Sequence, residues 1–186
     1  PVGEADRFAT EKLVRFAPTA WCYVPPSDAP TPEPRPALTR GHVTFGCFNN
    51  PAKITDAVLA LWSRILAAVP DSRLRLKGLG LGSTATRARY HERFARLRLA
   101  ADRVDLLDRT ADTKSHLALY HDVDVALDTF PYHGTTTTCE ALYMGVPVVS
   151  LAGDRHMARV GTSLLTAIGH PEWIAATGDD YVRIAT

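Results

Sequence analysis

Four consecutive threonines, Thr135 to Thr138, follow Gly134 at what the flanking pattern marks as a strand-to-helix junction. Upstream, Asp124-Val-Ala-Leu-Asp128 reads as a short buried strand. Downstream, Cys139-Glu-Ala-Leu-Tyr-Met144 has helical apolar spacing that stops at Gly145 and Pro147. Gly134 then falls in the turn, and the threonines occupy the first helical turn or its cap. The first N–H groups of a helix have no internal acceptor and the dipole is positive there. Short hydroxyls add donors without blocking access, so the segment suits a phosphate or diphosphate. One threonine is explained by ordinary capping. Four are not, because β-branched residues are indifferent helix formers and a cap uses only one of them. Glu140, one turn further on, reads either as an acceptor for a ribose diol or as a solvated helix-face carboxylate.

Other residues with chemistry to offer say less alone. Lys53, in Phe48-Asn-Asn-Pro-Ala-Lys-Ile54, either places an ammonium on a phosphate or departing nucleotide, or is a solvated lysine before a helix. Asn49 and Asn50 beside it read as turn residues. Asp108-Arg-Thr-Ala-Asp-Thr-Lys-Ser-His116 can give main-chain bonds to a base edge, with Lys114 or His116 near the sugar or ring. Its plainer reading is an N-cap at Asp112 and an exposed basic face. His133 is either a contact to the donor or a satisfied turn histidine. Gly78-Leu-Gly-Leu-Gly82 reads as a flexible loop. Arg87, Arg89, Arg93, Arg96 and Arg98 spread around a helix, which favours a solvated face over a nucleic-acid reader. No Ser/His/Asp order, carboxylate pair or metal-ligand set assembles around these groups, so they do not complete a catalytic mechanism.

The elements that must carry these residues alternate from Gly41 onward. Strands are expected at His42–Phe48, Ser72–Lys77, Arg103–Leu107, Asp124–Asp128 and Pro147–Leu151, and helices at Thr55–Val69, Ala85–Leu99, Thr113–His121, Cys139–Met144 and Met157–Ile168. Five βα units in series predict an α/β fold with a Rossmann-like doubly wound parallel sheet, helices on both faces and ligands at the carboxyl ends of the strands. Residues 1–40 stand apart: an amphipathic segment from Ala5 to Phe16, the aromatic Trp21-Cys-Tyr-Val24, then six prolines between Pro25 and Pro36. These form an extended arm and proline-rich linker, and the main domain spans 41–186. The formal net charge of +1 supplies no global field for nucleic acid or a membrane. Cys22, Cys47 and Cys139 are too few for a disulfide framework and lack zinc spacing, which points to a reducing, cytoplasmic setting. No apolar run is long enough to span a bilayer, and no signal-peptide pattern is present. The abrupt start at Pro1 and the helical pattern running to Thr186 read as a piece of a longer protein.

Phe45-Gly-Cys-Phe-Asn-Asn-Pro-Ala-Lys-Ile54, Arg103-Val-Asp-Leu-Leu107, the run from Leu127 to Glu140 and Gly145-Val-Pro-Val-Val149 occur in an order and spacing that resemble the O-linked N-acetylglucosamine transferase and SPINDLY family. The similarity is to the C-terminal half of that family and covers roughly residues 5 to 186. It implies the C-terminal, nucleotide-sugar-binding lobe of a GT-B glycosyltransferase of bacterial type, with 41–186 as the binding domain. It further implies an inverting, metal-independent transfer without cofactor, from UDP-GlcNAc to Ser or Thr of a protein acceptor. On matching positions, Lys53 holds the diphosphate and stabilises the leaving nucleotide, as the catalytic residue. Thr135, Thr136 and Thr137 bind phosphates, next to His133 and Gly134, and Glu140 is the ribose ligand. Ala111 offers main-chain contacts to the base, His116 packs on it, and Asn50 stands where some members have glutamine.

Two positions depart from the animal transferases. The lysine that helps bind ribose there falls opposite Thr113, with Lys114 one place later, and Thr135 replaces a histidine. Both are closer to bacterial and SPINDLY-type members. Some of the latter use GDP-fucose, so an O-fucosyltransferase lobe is an alternative; a nucleotide-sugar epimerase and a non-catalytic nucleotide-binding module are others. The family's N-terminal catalytic lobe and tetratricopeptide repeats have no counterpart here, and no repeat of about 34 residues is visible. The chain alone is therefore expected to bind a UDP- or GDP-sugar and transfer poorly, with Trp21, Tyr23 and the proline arm packed against the missing lobe.

Overall fold

Six short apolar runs become the strands of one parallel sheet: β1 (Thr44–Cys47), β2 (Arg73–Lys77), β3 (Val104–Leu107), β4 (Val125–Leu127), β5 (Val148–Leu151) and β6 (Ile174–Ala175). In the computed structural model, which describes residues 5–33 and 36–186, they lie in the order β3-β2-β1-β4-β5-β6, each neighbouring pair parallel. This is the doubly wound arrangement expected from the sequence. Pro1 and Pro34 of the expected arm and linker lie outside the described residues. The sixth strand is unforeseen, because two residues carry no alternation to read. The order reverses between β1 and β4, so the loops after these two strands part to opposite faces and leave a crevice at their carboxyl ends.

Helices cover both faces: α1 (Ala37–Arg40), α2 (Asp56–Ala68), α3 (Thr84–Arg96), α4 (Thr113–Ala118), α5 (Thr136–Tyr143), α6 (Val160–Ala167) and α7 (Gly178–Ala185). Their starts are chemically marked. Thr55, Ser83, Asp112 and Thr177 each accept a bond from a first-turn N–H of α2, α3, α4 and α7. At the other end of α5, Gly145 adopts a φ of 76°, the left-handed conformation that closes a helix.

On one face, Val58, Leu59, Trp62, Ile65 and Leu66 of α2 pack with Phe94 of α3 and Tyr181 of α7 against the strands. On the other, Leu117, Tyr120, Ala141 and Leu165 enclose Phe48 and Val148. A polar thread runs through the first cluster, where Trp62 Nε1 donates to the Tyr181 hydroxyl (3.2 Å) and that hydroxyl donates to the Asp128 carbonyl (2.8 Å). Among the described residues no helix is long and apolar enough to cross a membrane.

The arm departs from expectation. Of the amphipathic segment, Ala5–Phe8 forms a 3-10 turn with no buried residue, and Phe8 is 87% exposed. The apolar periodicity there meets no apolar surface, so nothing holds a longer helix. Trp21 and Tyr23 pack within this chain, with ring centroids 6.1 Å from His156 and 6.5 Å from Tyr143, and Thr19 Oγ1 lies 2.8 Å from Ser163 Oγ. Residues of the expected linker join the main domain: the Ala37 N–H donates to Asp124 (2.9 Å), whose other oxygen accepts from the Thr44 N–H (2.8 Å). Arg40 and Arg75 share Asp122.

Tyr181→Phe deletes both members of the polar thread and strands the Trp62 N–H and the Asp128 carbonyl. A destabilisation of about 1–3 kcal/mol is expected in urea unfolding; an unchanged midpoint would mean that the thread contributes nothing.

Candidate functional site

Asp128 follows β4 with its carboxylate buried, so its hydrogen bonds must come from the chain. Oδ1 accepts from Asn49 Nδ2 (3.1 Å), the Thr129 N–H (2.9 Å) and the Gly134 N–H (2.8 Å), and Oδ2 accepts from the Ser150 hydroxyl (2.8 Å). Burial pushes the Asp128 pKa above the ordinary carboxylate value, against the opposing pull of His133 and these donors. Asn49 extends the network: Nδ2 also donates to Thr129 Oγ1 (3.0 Å), and Oδ1 accepts from the Thr137 hydroxyl. Far from being a plain turn residue, Asn49 ties the loop after β1 to the turn after β4 and to α5. Gly134 is confined by the same groups, since a Cβ there would sit 2.5 Å from Thr137 Oγ1 and 2.6 Å from Asn49 Oδ1.

The His133 ring is 0% exposed. Nε2 is 2.8 Å from the Leu151 carbonyl and Nδ1 is 3.0 Å from the Gly161 N–H, a pattern that assigns the Nε2–H tautomer. Of its two sequence readings, the structure holds the satisfied turn histidine: the ring pins the start of α6 to the end of β5, and no ring atom reaches the rim. What His133 offers the rim is its carbonyl, which accepts from Lys53 Nζ at 2.8 Å.

Lys53 ends a 3-10 turn, Pro51–Lys53, that Asn50 caps by accepting from the Ala52 N–H (3.0 Å). The ammonium lies 4.0 Å from the centroid of the Tyr132 ring. It is half-buried, and burial pushes its pKa below the usual lysine value, while Asp128 and Cys47 pull it back up. Lys53 is thus anchored on the threonine turn and is no solvated lysine before a helix.

The four threonines divide. Thr138 donates to the Gly134 carbonyl (3.1 Å) and Thr137 to Asn49, so both hydroxyl protons are committed. Thr135 caps α5 without a side-chain cap bond, and among the described residues neither its hydroxyl nor that of exposed Thr136 has a protein partner. Their donors and the first-turn N–H groups are left for an incoming acceptor.

A second cluster sits one turn along α5. Glu140 is buried, its Oε2 2.9 Å from His116 Nε2, while His116 Nδ1 is 3.0 Å from Lys77 Nζ. Neither sequence reading of Glu140 foresaw this partner. The imidazole also faces Phe48 and Tyr120, at centroid distances of 5.7 Å each. Ala111 and Lys114 are exposed where α4 begins, the helix that carries His116, and no hydrogen bond among the described residues ties them to the threonine turn. The glycine loop is held, not loose: the Gly80 N–H donates to Asp108 (3.0 Å) and Leu81 is buried.

Sequence reasoning missed Asn49, Asp128, Tyr132 and Lys77. Their one available signal was position, each falling at or just after the carboxyl end of a strand. Among the described residues no group of three His, Cys, Asp or Glu is placed to hold a metal ion. A cavity of about 560 Å³ lies under the arm between α5 and α6. No lysine, arginine or carboxylate lines it, so it lacks the fixed positive charge that a diphosphate favours.

A sequence model of the family described as Glycosyl transferase family 41 matches residues 31–186. The chain is 47% identical over 175 residues to the probable UDP-N-acetylglucosamine--peptide N-acetylglucosaminyltransferase SPINDLY of Petunia hybrida, covering 94% of this chain and 19% of that protein. It is 34% identical over 144 residues to the UDP-N-acetylglucosamine--peptide N-acetylglucosaminyltransferase of Caenorhabditis elegans, covering 77% of this chain and 12% of that protein. A solved structure of a Thermobaculum terrenum O-GlcNAc transferase mutant superposes with a TM-score of 0.82 at 42% identity, over 87% of this chain and 30% of the other. The chain therefore spans only 19% of the plant relative's length.

Asn49→Ala removes a donor from Asp128 and the acceptor of Thr137, and is expected to cost about 1–3 kcal/mol of stability in denaturant titration. Asn50→Ala, which loses only a cap, should cost about 0.5–1 kcal/mol. Equal effects would show that Asn49 is no hub.

Proposed function

The chain belongs to glycosyl transferase family 41 and has the doubly wound fold of a GT-B lobe, and on that footing we propose that it is the UDP-N-acetylglucosamine-binding lobe of an inverting protein O-glycosyltransferase. The observation that carries this reading is the bond from Lys53 to the His133 carbonyl, which sets an ammonium at the mouth of the α5 N-terminus. A diphosphate entering there meets a positive charge, two uncommitted hydroxyls and free N–H groups together.

In this reading the Thr135 and Thr136 hydroxyls and the first-turn N–H groups hold phosphate oxygens. Thr137 backs them from its bond to Asn49. Lys53 leaves the His133 carbonyl for the bridging region of the diphosphate. As the acceptor Ser or Thr oxygen bonds the anomeric carbon and gives up its proton to water or to a base of the second lobe, the opposite carbon–oxygen bond to the β-phosphate breaks and its electron pair goes to UDP. The ammonium and the helix dipole meet the charge that develops there, in a metal-independent transfer. Ala111 and Lys114 border the base, His116 packs on it, and Glu140 faces the ribose from its bond to His116, with Asn50 at the rim. A second catalytic lobe and tetratricopeptide repeats would bring the protein acceptor. The three free thiols, Cys22, Cys47 and Cys139, suit a reducing, cytoplasmic setting.

Calorimetry of the chain with UDP and with GDP tests the proposal: UDP should bind more tightly. Binding of neither at millimolar concentration would overturn the site, and a preference for GDP would overturn the donor. Thr136→Ala should weaken UDP by about 1–2 kcal/mol if its hydroxyl bonds a charged oxygen, whereas an unchanged affinity removes that role.

The pH dependence carries a sign. Because burial lowers the Lys53 pKa, the ammonium is lost at a lower pH than in a free lysine. UDP affinity should fall as pH rises through that lowered value, and Lys53→Met should bind weakly with no such fall. Lys53 contributes oppositely to stability: between its folded and unfolded values the unfolded chain holds more protons, so stability rises with pH there.

A further inference from the structure

Lys77, the last residue of β2, has no role in the diphosphate cradle, yet it touches the residue that joins the two sides of the rim. Its Nζ is 3.0 Å from His116 Nδ1, and His116 Nε2 is 2.9 Å from Glu140 Oε2. A lysine nitrogen facing an imidazole nitrogen at this distance is the donor, because an ammonium has no lone pair to accept with. Nδ1 must then be the acceptor and carry no proton, and the ring's one N–H points at Glu140. Three elements, β2, α4 and α5, are linked by one chain of bonds in which every proton has a direction.

Glu140 by itself does not impose this state. A carboxylate beside an imidazole is equally served by the doubly protonated ring, as an ion pair, and the half-buried lysine on the other nitrogen is what shuts that form out. The charged and titratable groups around the ring are Lys77 from β2, Glu140 from α5 and the Tyr120 hydroxyl from the turn after α4, with Arg109 acting on Lys77. Burial pushes the Lys77 pKa down, Glu140 pulls it back and Arg109 pushes it further down. As an ammonium, Lys77 can only donate to Nδ1.

We propose that Lys77 is a positioning residue of the nucleotide site, whose N–H to His116 Nδ1 keeps that nitrogen free of a proton and fixes the ring, through Nε2–H, on Glu140. The role of the ring toward a nucleoside rests on the function proposed above; the protonation pattern does not. An imidazole held without a positive charge presents a face that stacks on a base without first shedding tightly bound water, and it leaves the Glu140 carboxylate its negative charge for ribose hydroxyls.

Long-range ¹H–¹⁵N correlation spectra of the labelled chain at neutral pH read the two ring nitrogens directly. In the wild type, His116 should show a pyridine-like Nδ1 and a protonated Nε2. Lys77→Met removes the donor, so Nδ1 should gain a proton and UDP affinity should drop by about five- to tenfold. Lys77→Gln keeps an N–H without the charge, and should restore both the pyridine-like Nδ1 and most of the affinity, a rescue that bulk packing or charge alone would not give. A protonated Nδ1 in the wild type, or an unchanged Nδ1 in the methionine variant, overturns the inference. If the methionine variant does not fold, a protonated Nδ1 in the glutamine variant does so. Should the wild type bind neither UDP nor GDP, the function proposed above fails, and the nitrogen spectra still decide the link between Lys77 and His116.

Discussion

A carboxylate cut off from water has to find its donors inside the protein, and Asp128 finds them on three neighbouring segments at once. The loop after β1 sends Asn49, its own turn sends the N–H groups of Thr129 and Gly134, and β5 sends Ser150. Satisfying this one group locks the carboxyl ends of three adjacent strands at the place where the sheet order reverses. The turn can then take only the shape that aims the first N–H groups of α5 at the crevice. Remove that constraint and neither the threonines nor Lys53 has a defined place.

The frame and the groups left at the rim are drawn from the same short segment, and bonding separates them. The His133 ring, Thr137 and Thr138 are spent on holding the turn, while the His133 carbonyl, Thr135 and Thr136 remain at the rim. Such a division favours electrostatic work. Donors fixed by a satisfied buried network need little reorganisation when charge arrives, and the one ammonium beside them rests on a carbonyl and an aromatic face.

The sheet and most helices were legible because their signals are local. Apolar runs bounded by Thr55 and Pro70, or by Asp112, state where elements start and stop within a few residues. The threonine run was legible for the same reason, as a helix start with more hydroxyls than capping uses. What could not be read depends on distance along the chain. Asn49 looked like a turn residue because its partner Asp128 is 79 positions away, and Lys77 looked like the end of a strand because His116 is 39 positions away. The arm shows the opposite limit: its amphipathic spacing is local and readable, but Phe8 and Phe16 are exposed, and periodicity without a partner surface does not hold a helix.

The Tyr181 hydroxyl, bonded to Trp62 across 119 positions and to the Asp128 carbonyl across 53, gives the molecule an order of assembly. Loops that long close late, since their entropy is spent before any contact rewards it. On a ribosome, β1 emerges well before its central neighbour β4, and α2 emerges well before the tyrosine that completes its polar core. The rim that would receive a nucleotide is therefore built from early and late segments together, and becomes whole only when nearly all of these residues have been synthesised.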